Sequence, residues 1–199
     1  MNNQKNILFS EYDMDGLSLR NRVVMAPMTR NFSPNGVPKD YAPTYYARRA
    51  QGGVGLIITE GVEVSHHAAS GYPNCPNLES DDAKRMWEKV VKEVHENNSS
   101  IFCQLWHVGG IRKPGMPPNP EVPGFTPSGY VRPGKKVAHE MSHEEIQELI
   151  NIYSEDTKAC EELGFDGVEI HGAHGYLIDQ FFWDQINHRD DEYGGTIKN

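Results

Sequence analysis

Two imidazoles and a phenol stand close together near the end of this 199-residue chain, as His171, His174 and Tyr176 in the run His171-Gly172-Ala173-His174-Gly175-Tyr176. They follow a short apolar run, Gly167-Val168-Glu169-Ile170. Imidazole N–H groups can hold negative charge that develops on an oxygen, and a phenol can deliver a proton. The spacing of the histidines, i and i+3, puts both rings on one face if the turn is helical. As a metal pair they would need a third ligand. None stands nearby at a convincing spacing, so no metal is expected.

Other polar residues recur at the ends of apolar runs. They are Pro27-Met28-Thr29-Arg30, Thr59-Glu60-Gly61, and Gln104 with Trp106-His107. If the runs are parallel strands, these ends share one edge and offer a hydroxyl, a carboxylate, an amide, an indole and imidazoles to one cavity. Each also has a plain reading. Thr29 can be a turn hydroxyl and Trp106 simple core. Gln104 inside an apolar strand needs a partner, since an unpaired buried amide costs about 1–3 kcal/mol. His66-His67 reads as a solvated loop pair, and Asp190-Asp191-Glu192 as a partly solvated run.

The elements that would position these residues follow from the apolar pattern. Residues 7–19 read as a hairpin, with Leu8-Phe9 leading to the turn dipeptide Asp15-Gly16 and then Leu17-Ser18-Leu19. Four apolar runs follow, at 22–26, 54–59, 101–106 and 167–170. They lack polar alternation, as strands buried on both faces of a parallel sheet do. Helical spacing fills the gaps. Residues 40–51 offer Tyr41, Tyr45 and Ala47; residues 81–97 offer Met86, Val90, Val91 and Val94 behind Ser80 and Asp81. Residues 142–163 open with a Ser142/Glu145 capping box. Their apolar face is Ile146, Leu149, Ile150, Tyr153, Thr157 and Cys160, and Gly164 is the stop. Repeated βα units imply parallel strands with right-handed crossovers. The segment 107–140 holds seven of the thirteen prolines. It is too long for an ordinary connection, which marks it as functional or as ordered by a partner.

Composition narrows the function classes. A net charge of -9 argues against a nucleic-acid surface. No apolar run is long enough for a membrane span, and the polar start Met1–Asn6 lacks the apolar region of a signal peptide. Three cysteines, an odd number with no C-x-x-C pair, fit a reducing cytoplasm. Cys103 and Cys160 read as packing, and Cys75 has no assigned role.

Several segments together resemble the Old Yellow Enzyme family of FMN-dependent ene-reductases, the NADH:flavin oxidoreductases. They are NRVVMAPMTR (21–30), GGVGLIITEG (52–61), QLWHVG (104–109) and the final H-G-A-H-G-Y-L…Q-F-F-W…N-x-R-x-D-x-Y-G-G. The resemblance spans nearly the whole chain in order. It implies an α/β fold, the N-terminal half (about four βα units) of a TIM (β/α)8 barrel with an N-terminal hairpin, as one partial domain over 1–199. It implies FMN at the C-terminal mouth, with NAD(P)H as co-substrate and a small activated alkene as substrate. Carried over by residue, Pro27, Met28, Thr29, Gly61, Gln104 and His171 would hold the flavin. His171 and His174 would bind the oxygen of a carbonyl or nitro group, beside Trp106. Tyr176 would protonate the alkene carbon. Some members carry asparagine at the second donor position; with His174 this chain resembles the two-histidine branch. The loops that grip the FMN phosphate normally follow strands seven and eight. They are expected beyond Asn199, so the chain alone is expected to hold FMN weakly or not at all. A self-associating, non-catalytic half-barrel is the alternative, with homo-oligomerisation or a missing C-terminal half as its partner.

Overall fold

The computed structural model describes residues 7–196, so the polar start Met1–Asn6 lies outside the described residues. The chain divides into two compact units. The first holds the described part of Met1–Val62, with Asn74–Gln104 and Thr157–Glu169; the second holds Glu63–Pro73, Leu105–Asp156 and the described part of Ile170–Asn199.

In the first unit the hairpin is shorter than the sequence suggested. Ile7–Phe9 forms a single 3-10 turn, and the antiparallel strands are β1 (Tyr12–Met14) and β2 (Leu17–Leu19). The Asp13 carboxylate accepts from the Gly16 N–H at 2.8 Å and closes the turn. Strand β2 is only three residues long, so its register runs out at Tyr12, and the Leu8 carbonyl accepts from the Arg22 N–H at 2.9 Å instead.

A parallel sheet forms the body of this unit. Strand β3 covers only Val24–Met25, against an expected 22–26. Pro27 explains the early stop, because proline brings no N–H to extend a ladder. Strand β4 (Leu56–Glu63) is longer than expected and carries Glu60 and Gly61 inside it, not at its end. Strand β5 is Ser100–Trp106. Val24 pairs with Leu56 and Met25 with Ile57, both in parallel register. The Ser100 N–H donates to Gly55 O at 3.0 Å, which sets the start of β5 beside the start of β4.

Helices α1 (Ala42–Gln51) and α2 (Asp81–His95) pack together in this unit. Ser80 caps α2 by accepting from the Ala83 N–H at 3.1 Å. The face of α1 turned inward is Tyr46, Ala47 and Ala50; Tyr41, an expected core residue, is 45% exposed. On α2 the central side chain is Trp87, which sits beside Tyr46 and Phe165 and has no exposed surface.

The second unit contains the long segment 107–140, which is ordered by short strands and by ties to the rest of that unit. Strand β6 (Phe125–Thr126) is short, as are β7 (Tyr130–Arg132), β8 (Lys135–Lys136) and β9 (His139–Glu140). Strand β6 pairs in parallel with β9, and β7 pairs antiparallel with β8. The Arg112 side chain, 3% exposed, ties the segment down. It donates to the carbonyls of Ser70, Met116, Asn119 and Val122. Burial lowers its pKa, while the charges of Glu63 and Glu121 oppose that.

Helix α3 (His143–Glu162) opens with the expected capping box. The Glu145 N–H donates to Ser142 Oγ at 3.2 Å, and the Ser142 N–H donates to Glu145 Oε2 at 2.8 Å. Ile146 and Leu149 are buried as expected, but Ile150 is 49% exposed. Strand β10 (Gly167–Ile170) matches its expected bounds, and sheet order is β10-β5-β4-β3. A short helix α4 (Leu177–Phe182), not foreseen in the sequence, follows the histidine run. Its Leu177 joins Ala68, Phe125, Met141, Ile146 and Leu149 in the core of the second unit. Among the described residues no helix is long and apolar enough to cross a membrane.

Candidate functional site

In the second unit one buried indole organises the chemistry. Trp106, 3% exposed, is the last residue of β5. The His171 N–H donates to Leu105 O at 3.0 Å, so the ladder of β10 carries on one residue past its end. That register stacks the His171 ring on the indole, with centroids 6.0 Å apart and planes at 20°. Tyr176 meets the same indole edge-on at 5.0 Å and the His171 ring at 4.9 Å. His174 reaches His171 edge to face at 5.4 Å.

The turn that gathers these rings is not helical. His174 and Gly175 are both left-handed, with φ of 61° and 74°. The i, i+3 pair therefore converges by a reversal of the chain, not by sharing a helix face. The turn is fixed from below by α4. Asp179 Oδ2 accepts the Gly175 N–H at 2.7 Å, and Gln180 Nε2 donates to Gly175 O at 2.7 Å. Gln180 Oε1 also accepts the Gly110 N–H at 3.1 Å, and the Leu177 N–H donates to His107 O.

The His171 tautomer follows from its own backbone. The Ala173 N–H points at His171 Nδ1 from 3.4 Å, which leaves the ring proton on Nε2. With Nδ1 accepting, Nε2–H is the ring's donor, a group suited to an oxygen that gains charge.

The first unit carries the other predicted residues. Met28 is 69% exposed and Thr29 is exposed just past β3, while Pro27 is half-buried and Gly61 is buried within β4. Gln104, 5% exposed on β5, has the partner its burial demands. Its Nε2 donates to Glu169 Oε1 of β10 at 2.6 Å. This fixes the amide so that its carbonyl oxygen remains as an acceptor. The only sequence signal for this pair is an acid within the apolar run 167–170.

Glu60 does not offer a free carboxylate. It is 1% exposed and is consumed by Arg30, whose Nε donates to Oε1 at 2.8 Å and whose backbone N–H donates to Oε2 at 3.1 Å. The Arg30 guanidinium lies over the rings of Tyr45 and Tyr46 at 4.1 Å and 5.1 Å. The Glu60 N–H in turn donates to the Tyr46 hydroxyl at 3.1 Å. Thr59 is equally committed, accepting from the Gln104 N–H at 3.0 Å.

His66 also departs from expectation. It is half-buried, not solvated, and its Nδ1 lies 2.9 Å from Nε2 of the fully enclosed His107. Burial, with the neighbouring His67 charge, pushes the His66 pKa down to about 4. Sequence reasoning also missed Tyr72, whose hydroxyl stands 3.1 Å from that of Tyr176. No periodicity or motif singles it out.

An α/β chain with a parallel sheet and an aromatic, histidine-bearing turn after a strand end defines a partial βα-barrel protein. The chain belongs to the NADH:flavin oxidoreductase / NADH oxidase family, whose model matches residues 7–199. It is 38% identical over 202 residues to 12-oxophytodienoate reductase 2 of Arabidopsis thaliana, covering 96% of this chain and 54% of that protein. It is 41% identical over 204 residues to flavin oxidoreductase hxnT of Emericella nidulans, covering 96% and 52%. The chain thus spans about half the length of the curated relatives it matches. Among solved structures, morphinone reductase in complex with tetrahydroNAD aligns with a TM-score of 0.86 at 33% identity, covering 96% of this chain and 56% of that one. The old yellow enzyme homologue from Zymomonas mobilis aligns with a TM-score of 0.85 at 36% identity, with the same coverage.

Proposed function

We propose that this chain supplies the substrate-side machinery of an FMN-dependent reductase of activated alkenes, α,β-unsaturated carbonyl or nitro compounds, with NAD(P)H as the electron source. The observation that carries this reading is the grouping of His171, His174 and Tyr176 around Trp106. It provides two N–H donors and one O–H donor within a few ångströms of each other. An enolate or nitronate forming from an activated alkene needs that set: donors for the oxygen and an acid for the carbon.

The residues of the first unit fit a flavin by their chemistry. Exposed Met28 offers an apolar surface, exposed Thr29 a hydroxyl, and Gln104 an amide oriented by Glu169. Pro27, Met28, Thr29, Gly61 and Gln104 would hold FMN there. FMN, when bound, supplies hydride for the β carbon of the alkene. The remaining roles fall to side chains of this chain. His171, through Nε2–H, and His174 bind and polarise the carbonyl or nitro oxygen. As charge builds on that oxygen their bonds strengthen, each contributing about 2–4 kcal/mol at the transition state. Tyr176 then gives its hydroxyl proton to the α carbon. Trp106 stacks on the His171 ring, holds that donor in place and excludes water from that face of it.

The test is phenol binding, because a phenolate mimics the enolate oxygen. With FMN present at saturating concentration, a para-substituted phenol should perturb the visible flavin spectrum of the wild-type chain. The His171→Ala, His174→Ala double variant should lose that response. Equal phenol affinity in both proteins would remove the two histidines from the oxygen site. Reduction of 2-cyclohexenone and of a nitroalkene with NADH and with NADPH tests the reaction itself.

A further inference from the structure

Tyr72 lies in the segment that follows β4, beside Gly71. Gly71 lets that segment run tight against Val108: a Cβ at Gly71 would lie 2.6 Å from Val108 Cγ2. The close approach brings the Tyr72 ring flat onto Trp106, with centroids 5.4 Å apart and planes at 22°. The same indole takes the Tyr176 ring on its edge at 5.0 Å and 80°. One buried plate therefore holds two phenols, one stacked on it and one edge-on to it. Their hydroxyl oxygens end 3.1 Å apart, a direct hydrogen bond with no room for a water between them. Tyr72 is 37% exposed, so the outer end of the pair reaches solvent.

We propose that Tyr72 is a positioning residue for Tyr176, holding the hydroxyl of the acid in place and restoring its proton from water. This rests on the reading of Tyr176 as the acid. In that step the Tyr176 O–H bond breaks and a C–H bond forms at the α carbon, using the electron pair of the enolate. The O–H electron pair stays on Tyr176 as phenolate. The Tyr72 hydroxyl donates to that oxygen, passes its proton across the hydrogen bond, and retakes one from water. The net change is one proton moved from solvent to product. A phenol half-exposed at the rim can do this; a phenylalanine can keep the stacking but cannot donate.

The experiment uses the full chain labelled with 13C at the tyrosine Cζ. The Tyr176→Phe variant identifies the Tyr176 resonance, which is then followed against pH in the wild type and in Tyr72→Phe. Circular dichroism confirms that both fold alike. Loss of a donor to the phenolate should move the Tyr176 titration upward by about half a pH unit or more. A midpoint unchanged between the two proteins would overturn the proposal. In the FMN-loaded protein, Tyr72→Phe should lower kcat for alkene reduction by about five- to tenfold with little change in KM. A change in KM alone would also overturn it, because that pattern belongs to ground-state contact. Absence of alkene reduction in the wild type would count against Tyr176 as an acid, and the titration would still decide whether Tyr72 holds it.

Discussion

His107 donates from Nε2 to Nδ1 of His66 across 2.9 Å, and the backbone fixes the direction of that bond. The Gly109 N–H occupies His107 Nδ1 at 3.0 Å, so the His107 proton must sit on Nε2. Nδ1 of His66 is therefore an acceptor; a proton there would break the bond to His107, and a proton on His107 Nδ1 would break its bond from the Gly109 N–H. The groups facing the pair are His67, Glu145 and Arg112, of which only Glu145 favours a charged imidazole.

Acid should loosen this part of the second unit through its two enclosed imidazoles. Burial holds the His66 pKa down to about 4 from 6.5, and holds His107 well below the same ordinary value. Both rings bind fewer protons when folded than when unfolded, so stability rises with pH through their window. Their contribution is complete above about pH 6.5 and is lost as the pH falls toward 4. The loss from His66 is on the order of 2–3 kcal/mol. Glu145 and Asp191, with pKa values held below the usual carboxylate range, act at lower pH still. Urea midpoints between pH 7 and 5 read the histidine window (about two pH units). His66→Gln keeps an acceptor for His107 without titrating and should flatten the slope. An unchanged slope would place the acid sensitivity elsewhere.

The buried pair in the first unit should behave asymmetrically. Glu60→Gln leaves the Arg30 guanidinium, stacked on Tyr45 and Tyr46, without its counter-charge. The expected cost is about 3–5 kcal/mol. The double change Glu60→Met with Arg30→Met should cost less than either single one, because it removes both desolvated charges together. A double-mutant cycle by urea denaturation measures this. Additive losses would show that the two side chains act independently.

What could be read from the sequence divides along a physical line. The four apolar runs and three long helices were legible because an apolar run or an apolar stripe leaves a trace; β4 and β5 are mostly buried as expected, but Val24 of β3 and Ile170 of β10 are exposed. The histidine–tyrosine run was legible through its motif. Partnerships across the sheet were not. Gln104 and Glu169 are 65 residues apart, and only strand order makes them neighbours. Glu60 looked available at a strand end because nothing in 54–59 shows that β4 runs on to Glu63, or that Arg30 folds back on it. The order within 107–140 was hidden for the same reason. It depends on side chains such as Arg112, Arg189 and Asn119 binding carbonyls, and carbonyls carry no sequence signal.

Arg112 should therefore be the most sensitive position in that segment. Its removal strips donors from the carbonyls of Ser70, Met116, Asn119 and Val122. Arg112→Ala should cost about 2–4 kcal/mol. It should also make the segment 107–140 the first site cut in limited proteolysis with thermolysin, mapped by mass spectrometry. Arg112→Lys should rescue little, since an ammonium lacks the planar fork that reaches several acceptors at once. Cleavage at an unchanged rate in both variants would show that β6 to β9 hold the segment without it.

The turn at His174-Gly175 separates a backbone cost from a functional one. Gly175 has φ of 74° and open space where a Cβ would stand. Gly175→Ala therefore meets no clash and pays only for the left-handed conformation, about 1 kcal/mol. Asp179→Ala removes the acceptor of the Gly175 N–H and frees the same turn without adding strain. If the turn's task is to bring the His174 ring to His171, both variants should weaken phenol binding by severalfold while the far-ultraviolet circular dichroism stays native. The effect should track His174 alone: in a His174→Ala background, Gly175→Ala should add nothing further to the loss of phenol affinity. Isothermal titration with the four proteins of that cycle gives the coupling directly. A full additional loss in the His174→Ala background would mean that the turn positions some other group.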